Sequence, residues 1–284
     1  MTIGITAATG QLGYLVAEHL KTKVSPSHII ALVRTPAKAA GLGIEAREFD
    51  YSRPDMLLPS LAGIDTLLLI SSSEVGQRAV QHRNVIEAAK NSGVRRVVYT
   101  SLLHAENSPL SLAQEHRTTE EALRSSGIPF TILRNGWYTE NYTSSVSGAL
   151  AAGALLGSAG DGRISSATRA DYAEAAAAVL TSQGHAGKTY ELAGDEAYTL
   201  ADLAAEISRQ TGKTIPYRNL PEVEYARALV GFGLPENAAK AYASFDTGAS
   251  IGALFDDGRQ LSALIGRPTT PLKAAVADAL RKAT

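Results

Sequence analysis

The sequence predicts an α/β protein: a doubly wound parallel sheet in the first half, followed by a smaller α+β lobe. Three observations carry this. Short apolar runs alternate with helical patterns from the start of the chain to about residue 135. Those runs are continuously apolar, as strands covered on both faces are, and do not alternate as half-buried strands do. The first strand-to-helix turn, "ITAATGQLGYL" at residues 5–15, carries glycines just where a helix begins.

The elements follow in order. "IGIT" (3–6) reads as a buried strand, and "QLGYLVAEHL" (11–20) puts Leu12, Leu15, Val16 and Leu20 on one helical stripe. "IIALV" (29–33) is a second strand. Thr35 then stands where a helix N-cap would, with Pro36 at the first helical position. "IEAREF" (44–49) is a weaker strand, and "TLLLI" (66–70) and "RVVYT" (96–100) are stronger ones. Residues 77–93 between them are helical and stop at Gly93. A further helix (113–127) ends at Gly127 and leads into the strand "FTILR" (130–134). Right-handed crossovers make such a series doubly wound. Beyond it the pattern changes. "YELAG" (190–194) and "IPYRNL" (215–220) are short strands, residues 199–212 are a capped helix, and "PENAAKAYASF" and "DGRQLSALIG" are helical. We therefore expect one unit over residues 1–135 and a lobe over 136–284 that packs on the sheet's carboxyl ends and does not fold alone.

Composition narrows the function classes. A chain of 284 residues, 45% hydrophobic, can bury a large core. A net charge of −1 argues against nucleic acid as a partner, which would require clustered Lys and Arg. The absence of cysteine excludes disulfides, thiolate metal sites and cysteine nucleophiles. No run of 18 apolar residues suggests a membrane span, and no leader-like segment opens the chain, so the expected setting is the cytoplasm. A homo-oligomer is compatible with all of this. The six histidines show no metal-ligand spacing, and neither a Gly-x-Ser-x-Gly elbow nor a Walker lysine is present, so no metal is expected.

What remains is a nucleotide site. A pyrophosphate needs backbone N–H groups and the positive end of a helix. Ala7, Ala8, Thr9, Gly10, Gln11, Leu12 and Gly13 form the turn that supplies them. Gly10 lets the backbone approach the ligand, and Gly13 lets the helix approach the strand. Ala7 stands where the Gly-x-x-Gly-x-x-Gly spacing has its first glycine, which is tolerable if its φ is negative; we expect a negative φ there. At the end of the second strand, where an Asp or Glu would hold a ribose 2′-hydroxyl, the chain has Arg34, with Lys38 one turn on. A guanidinium fork matches a 2′-phosphate, so the cofactor expected is NADP(H). Asp50, at the end of the third strand, can bond an adenine amino group, with Tyr51 beside it. Ser71, Ser72 and Ser73 follow the fourth strand, at the sheet end where such folds bind ligands.

Taken together, "TAATGQLG", "ALVRTPAKA", "ISSSEVGQR", "VVYTSLLHA", "LRNGWYTENY" and "TRADYAEAAAAVL" resemble the NmrA-like branch of the atypical short-chain dehydrogenase/reductases. Within that branch the likeness is to the bacterial type 2 NADPH-dependent quinone oxidoreductases. It runs over essentially the whole chain, including "ELAGDEAYTL" and "LIGRPTTPL". It implies NADPH bound by residues 7–12, Arg34 and the serine loop, with "NGWYTEN" (135–141) near a quinone. Asn135, Gly136, Trp137, Tyr138 and Asn141 are then the substrate-side candidates, with Asn135 and Asn141 orienting the ligand.

One departure shapes the chemistry. Ordinary short-chain dehydrogenases use Tyr-x-x-x-Lys, but no tyrosine of this chain has a lysine four positions later. The helix that would carry the pair has His116 and Glu120 on one face, read here as a surface contact before an acid/base pair. A quinone accepts hydride readily and leaves a stabilised phenolate, so positioning is the main requirement. The same features fit a non-catalytic NADP(H)-binding redox sensor. Asp171 is expected to cap the helix "YAEAAAAVL".

Overall fold

The computed structural model describes residues 1–283. In chain order the elements are β1 (Ile3–Thr6), α1 (Gln11–Lys21), β2 (Ile29–Val33), β3 (Glu45–Glu48), α2 (Pro54–Ser60), β4 (Thr66–Leu69), α3 (Arg78–Ser92), β5 (Arg96–Leu102), α4 (Ala113–Ser126) and β6 (Phe130–Asn135). Then come α5 (Glu140–Thr143), α6 (Val146–Ala152), β7 (Leu155–Gly157), α7 (Arg169–Thr181), β8 (Thr189–Leu192), α8 (Leu200–Thr211), β9 (Tyr217–Asn219), α9 (Glu222–Gly231), α10 (Glu236–Ser250), α11 (Gln260–Ile265) and α12 (Leu272–Ala283).

Seven strands form one parallel sheet in the order β3-β2-β1-β4-β5-β6-β8. The order reverses between β1 and β4, which opens a crevice at their carboxyl ends. β1, β2 and β4 are buried at every position, as their unbroken apolar sequences require. β3, "EARE", is an edge strand and only partly covered.

Two apolar layers sandwich the sheet. On one face Val16, Ala17 and Leu20 of α1 meet Ala173, Ala176 and Leu180 of α7; small alanines let the two helices approach closely. On the other, Leu57, Val85, Ile86, Ala89 and Leu123 of α2, α3 and α4 cover the sheet. A third core holds the lobe together, built on α5, α6, α8, α10, α12 and the short parallel pair β7–β9.

The boundary expected at residue 135 is crossed by the chain: α7 returns to the sheet's face, and β8 pairs with β6 through Ile132↔Thr189 to Asn135↔Leu192. The "YELAG" strand thus closes the main sheet and does not belong to the lobe. Thr35 takes the N-cap position, but its side chain caps nothing and the segment after it is a 3₁₀ turn. Asp171 is not the cap of α7. Thr168 is, and Asp171 sits three residues in and completes a reciprocal capping box. Thr199 and Asp202 repeat that arrangement at α8.

Candidate cofactor groove and substrate chamber

The turn after β1 is built around one bond: the Gly10 N–H donates to the Ala7 carbonyl at 2.8 Å. Folding the chain back so tightly puts Ala7 at φ +50°, in the left-handed region. This corrects the negative φ expected from the sequence. The residue that replaces a glycine adopts the glycine conformation, at a cost of about 1–2 kcal/mol. Gly13 is required for another reason: a Cβ there would lie 2.4 Å from the Ala7 carbonyl oxygen and 2.8 Å from Ala8 Cα. Helix α1 therefore starts against the turn, with no acidic side chain in its first turn to oppose an anion.

A groove of 410 Å³ runs from this turn across the carboxyl ends of β1 to β4. Ala7, Thr9, Gly10, Gln11, Leu12 and Gly13 line one end. Ala8 does not; it is fully buried beneath them. Arg34 and Lys38 stand at the end of β2, and Asp50 and Tyr51 just beyond β3. Ser71, Ser72 and Ser73 close the floor beyond β4.

Each wall is held from behind. The Tyr51 hydroxyl donates to the Ile70 carbonyl (2.8 Å) and bonds Thr6 Oγ1; burial pushes this phenol far above its ordinary range, so it stays neutral. Asp50 accepts the Ser52 N–H. The Ser72 N–H donates to His82 Nε2 (2.9 Å), and the opposite ring nitrogen meets Thr119 Oγ1 (2.9 Å). The Thr119 hydroxyl already donates to the Glu115 carbonyl, so His82 is the neutral Nδ1–H tautomer. Burial, with Arg78 nearby, pulls it down to about 3. Arg34 itself is exposed and its Nη1 lies 3.1 Å from Glu74 Oε1, across the groove mouth. Glu74 in turn accepts from Gln81 Nε2 at 2.8 Å. Gln81 and His82 belong to no motif, and Glu74, although inside "ISSSEVGQR", carries no spacing that would have marked it as the partner of Arg34.

Gln11 also lines a second cavity of 660 Å³, which joins the sheet's carboxyl ends to the lobe. Its walls are mostly apolar and aromatic: Trp137, Tyr142, Leu155, Tyr225, Phe232 and Tyr242. Of the substrate-side candidates, Trp137 and Asn141 reach it; Asn135, Gly136 and Tyr138 do not. Trp137 packs edge-on against Phe245, with ring centres 5.2 Å apart. Asn141 Oδ1 accepts from Arg169 Nη2 (2.9 Å). Arg169 also covers the Tyr138 ring at 4.4 Å and pairs with Glu140 at 3.4 Å. Asn135 is buried, and its Oδ1 has no hydrogen-bond partner among the described residues. Gly136 is needed where the Leu192 carbonyl and the Tyr172 hydroxyl would each lie 2.9 Å from a Cβ.

His116 and Glu120 are not a surface contact. Both are buried on the inner face of α4, which corrects the sequence reading. His116 Nδ1 is 2.7 Å from the Tyr99 hydroxyl, and burial holds the ring neutral, with Arg78 and His82 adding to the effect. Glu120 receives Arg134 Nε and Nη2 at 2.9 and 2.7 Å and the Ser101 hydroxyl at 2.6 Å. Arg134 reaches on to Glu191 at 2.7 Å. The i,i+4 spacing correctly gave a shared face, but not which way that face points.

Residues 7–183 match the family model described as NAD(P)H-binding. Quinone oxidoreductase 2 of Escherichia coli is 57% identical over 277 residues, 96% of this chain and 97% of that protein. The solved structure of the NADPH-dependent quinone oxidoreductase QOR2 of Escherichia coli, complexed with NADPH, superposes with a TM-score of 0.96 at 56% identity. The superposition covers 98% of this chain and all of that one. An NmrA-like family domain-containing oxidoreductase of Aspergillus flavus is 29% identical over 97% of this chain and 94% of its own. The chain belongs to the NAD(P)H-binding family, in its NmrA-like branch, alongside quinone oxidoreductase 2.

Proposed function

We propose that this protein reduces quinones with NADPH by direct hydride transfer, as a cytoplasmic enzyme without a Tyr–Lys pair. The observation that carries this reading is the junction at Gln11. There a groove suited to a dinucleotide phosphate and an apolar chamber large enough for a ring substrate meet at one shared lining residue. The likeness to quinone oxidoreductase 2 supports it along the whole chain.

The residues present fit the cofactor. The turn at 7–13 offers amides at a helix N-terminus, and the absence of a Cβ at Gly13 keeps that turn against the helix. Arg34 and Lys38 would take the 2′-phosphate, Asp50 the adenine, and Ser71 to Ser73 the floor beneath the sugar. When bound, the nicotinamide supplies the hydride. The chamber's aromatic walls would hold the quinone flat against it, and Trp137 and Asn141 would orient the ring. No helix among the described residues is long and apolar enough to cross a membrane.

The test is NADPH oxidation with small benzoquinones by the purified protein, followed by absorbance. A quinone-dependent rate well above the uncatalysed background supports the reading. Tight NADPH binding with no turnover of any quinone would overturn it in favour of a redox sensor.

A further inference from the structure

Quinone reduction consumes more than a hydride. One quinone oxygen ends protonated only when a further proton arrives, and the chamber has few acids that could give one. No histidine lines it, and of its two carboxylates Glu140 is committed to Arg169, through the backbone N–H at 2.9 Å and the guanidinium at 3.4 Å. The other is Asp246, on α10 behind the aromatic wall, 4% exposed and with no cation in ion-pair range among the described residues.

Its two oxygens are not equivalent. The Ser158 N–H donates to Oδ2 at 3.0 Å, which fixes that atom as an acceptor. Oδ1 faces the Tyr142 hydroxyl at 3.1 Å, and Tyr142 also lines the chamber. When the carboxyl is protonated, the proton therefore belongs on Oδ1, pointing at the Tyr142 oxygen, and the phenol's own proton is free to turn toward the cavity.

Resting on the quinone-reductase reading above, we propose that Asp246, acting through Tyr142, delivers the second proton of the reaction. The quinone takes a hydride from NADPH and becomes a hydroquinone monoanion. Its oxyanion then takes the Tyr142 proton while the phenol oxygen takes the proton of Asp246. One O–H bond forms on the product and one breaks at the carboxyl, and the negative charge moves from product to Asp246. NADPH, quinone and a proton give NADP⁺ and hydroquinone, and solvent entering the chamber reloads the acid. A hydroquinone anion is far more basic than a carboxylate, so the transfer runs downhill.

The surroundings keep this acid usable. Burial pushes its carboxyl up to about 6, with Ser158 and Tyr142 pulling the other way. The titratable groups facing it are Tyr142 from α5, Tyr217 from β9 and Tyr225 from α9, all phenols lifted by burial. Glu222 of α9 bonds α10 one residue further along, at Thr247 (2.7 Å), and adds negative charge to that side. Arg169 and Glu140, also in the chamber lining, pair with each other at 3.4 Å.

The experiment compares wild type, Asp246→Asn and Tyr142→Phe in steady-state quinone reduction from pH 5 to 9, with NADPH binding measured separately by fluorescence. Asn can still accept from Ser158 while its amide donates to the Tyr142 oxygen, so the variant has a route to a folded protein. We expect wild-type kcat to fall as pH rises through about 6. In both variants that limb should vanish and kcat at low pH should drop about tenfold or more. NADPH binding should hold within about twofold, since neither residue lines the dinucleotide groove. A wild-type pH profile and rate in Asp246→Asn would overturn the proposal, as would loss of the limb in Asp246→Asn but not in Tyr142→Phe. If Asp246→Asn does not fold, Tyr142→Phe decides alone. A wild-type protein that turns over no quinone defeats the function itself; a working wild type with indifferent variants defeats only the acid.

Discussion

Gly13→Ala tests the phosphate turn most directly. The added methyl would sit 2.4 Å from the Ala7 oxygen, 2.8 Å from Ala8 Cα and 2.9 Å from Ala7 C. All three are backbone atoms, so no side chain can swing aside. Restoring ordinary van der Waals separation means opening the turn by about 1 Å. Helix α1 cannot retreat by that much, because Val16, Ala17 and Leu20 are fully buried against the sheet and α7. The strain should cost about 1–3 kcal/mol, lowering the melting temperature by about 2–4 °C per kcal/mol. NADPH should bind about 10- to 100-fold more weakly, as one charge-assisted amide contact is misplaced. Gly10→Ala is the internal control: its nearest clash is the Ala7 oxygen at 3.2 Å, and its φ of −79° suits any residue. Differential scanning fluorimetry and NADPH titration read both. If Gly13→Ala melts within 1 °C of wild type and binds NADPH within twofold, the close approach is not what holds this turn.

Arg34→Asp should weaken NADPH by about 1.5–3 kcal/mol and leave NADH much less affected, so the ratio of their dissociation constants moves toward NADH; an unchanged ratio would mean the ribose lies elsewhere. Glu74→Gln should do the opposite and tighten NADPH two- to fivefold. It removes an exposed pair worth about 0.2–1 kcal/mol that Arg34 must surrender, and titration calorimetry would show it. Glu120→Ala should destabilise the fold by about 3–5 kcal/mol, because it strands Arg134, itself 6% exposed, without its main partner; a melting temperature within 2 °C of wild type would contradict this. Asp246→Asn predicts a pH-dependent gain. The unfolded carboxyl ionises near 3.8 and the folded one near 6, so the wild-type fold loses stability as pH rises from about 4 to about 6. That shift corresponds to about 3 kcal/mol. The melting temperature of the Asn variant relative to wild type should thus be about 5 °C or more higher at pH 7.5 than at pH 4.5, and equal differences at the two pH values would refute the buried-acid reading.

The sheet was legible because its strands declare themselves locally: an unbroken apolar run needs cover on both faces, and the helices that cover it show a 3.6-residue stripe. The cofactor groove was legible for a similar reason. A glycine turn opening a helix, and an arginine one strand later, are fixed by short-range chemistry. The readings that failed depend on contacts the residue pattern does not print. Ala7 takes a positive φ because Gly10, three residues on, bonds back to it, a turn no composition rule shows. The "YELAG" strand looked like part of the lobe because its partner, Phe130–Asn135, lies more than fifty residues away. His82 and Asp246 are single residues in unremarkable stretches, and Glu74 follows the serine loop with nothing to mark its partner; only packing gives the three their neighbours.

The fate of α4 connects these readings. In a Tyr-x-x-x-Lys enzyme its inner face carries the proton chemistry; here that face holds His116 and Glu120. His116 is closed in by Tyr99 and Arg78, and Glu120 by Arg134, Ser101 and Arg124. Neither lines the chamber. A glutamate bonded to two guanidiniums is a poor acid: burial alone would raise its carboxyl, but Arg134 and Ser101 hold it below its usual range. The face that might have done acid–base work is fully engaged in joining α4 to β5, β6 and β8. The proton donor proposed above comes instead from the lobe, which contributes a carboxyl that burial raises and that no cation among the described residues pairs with. The lobe thus does more than cover the sheet's carboxyl ends: it closes the substrate chamber and brings to it the acid that α4 cannot supply.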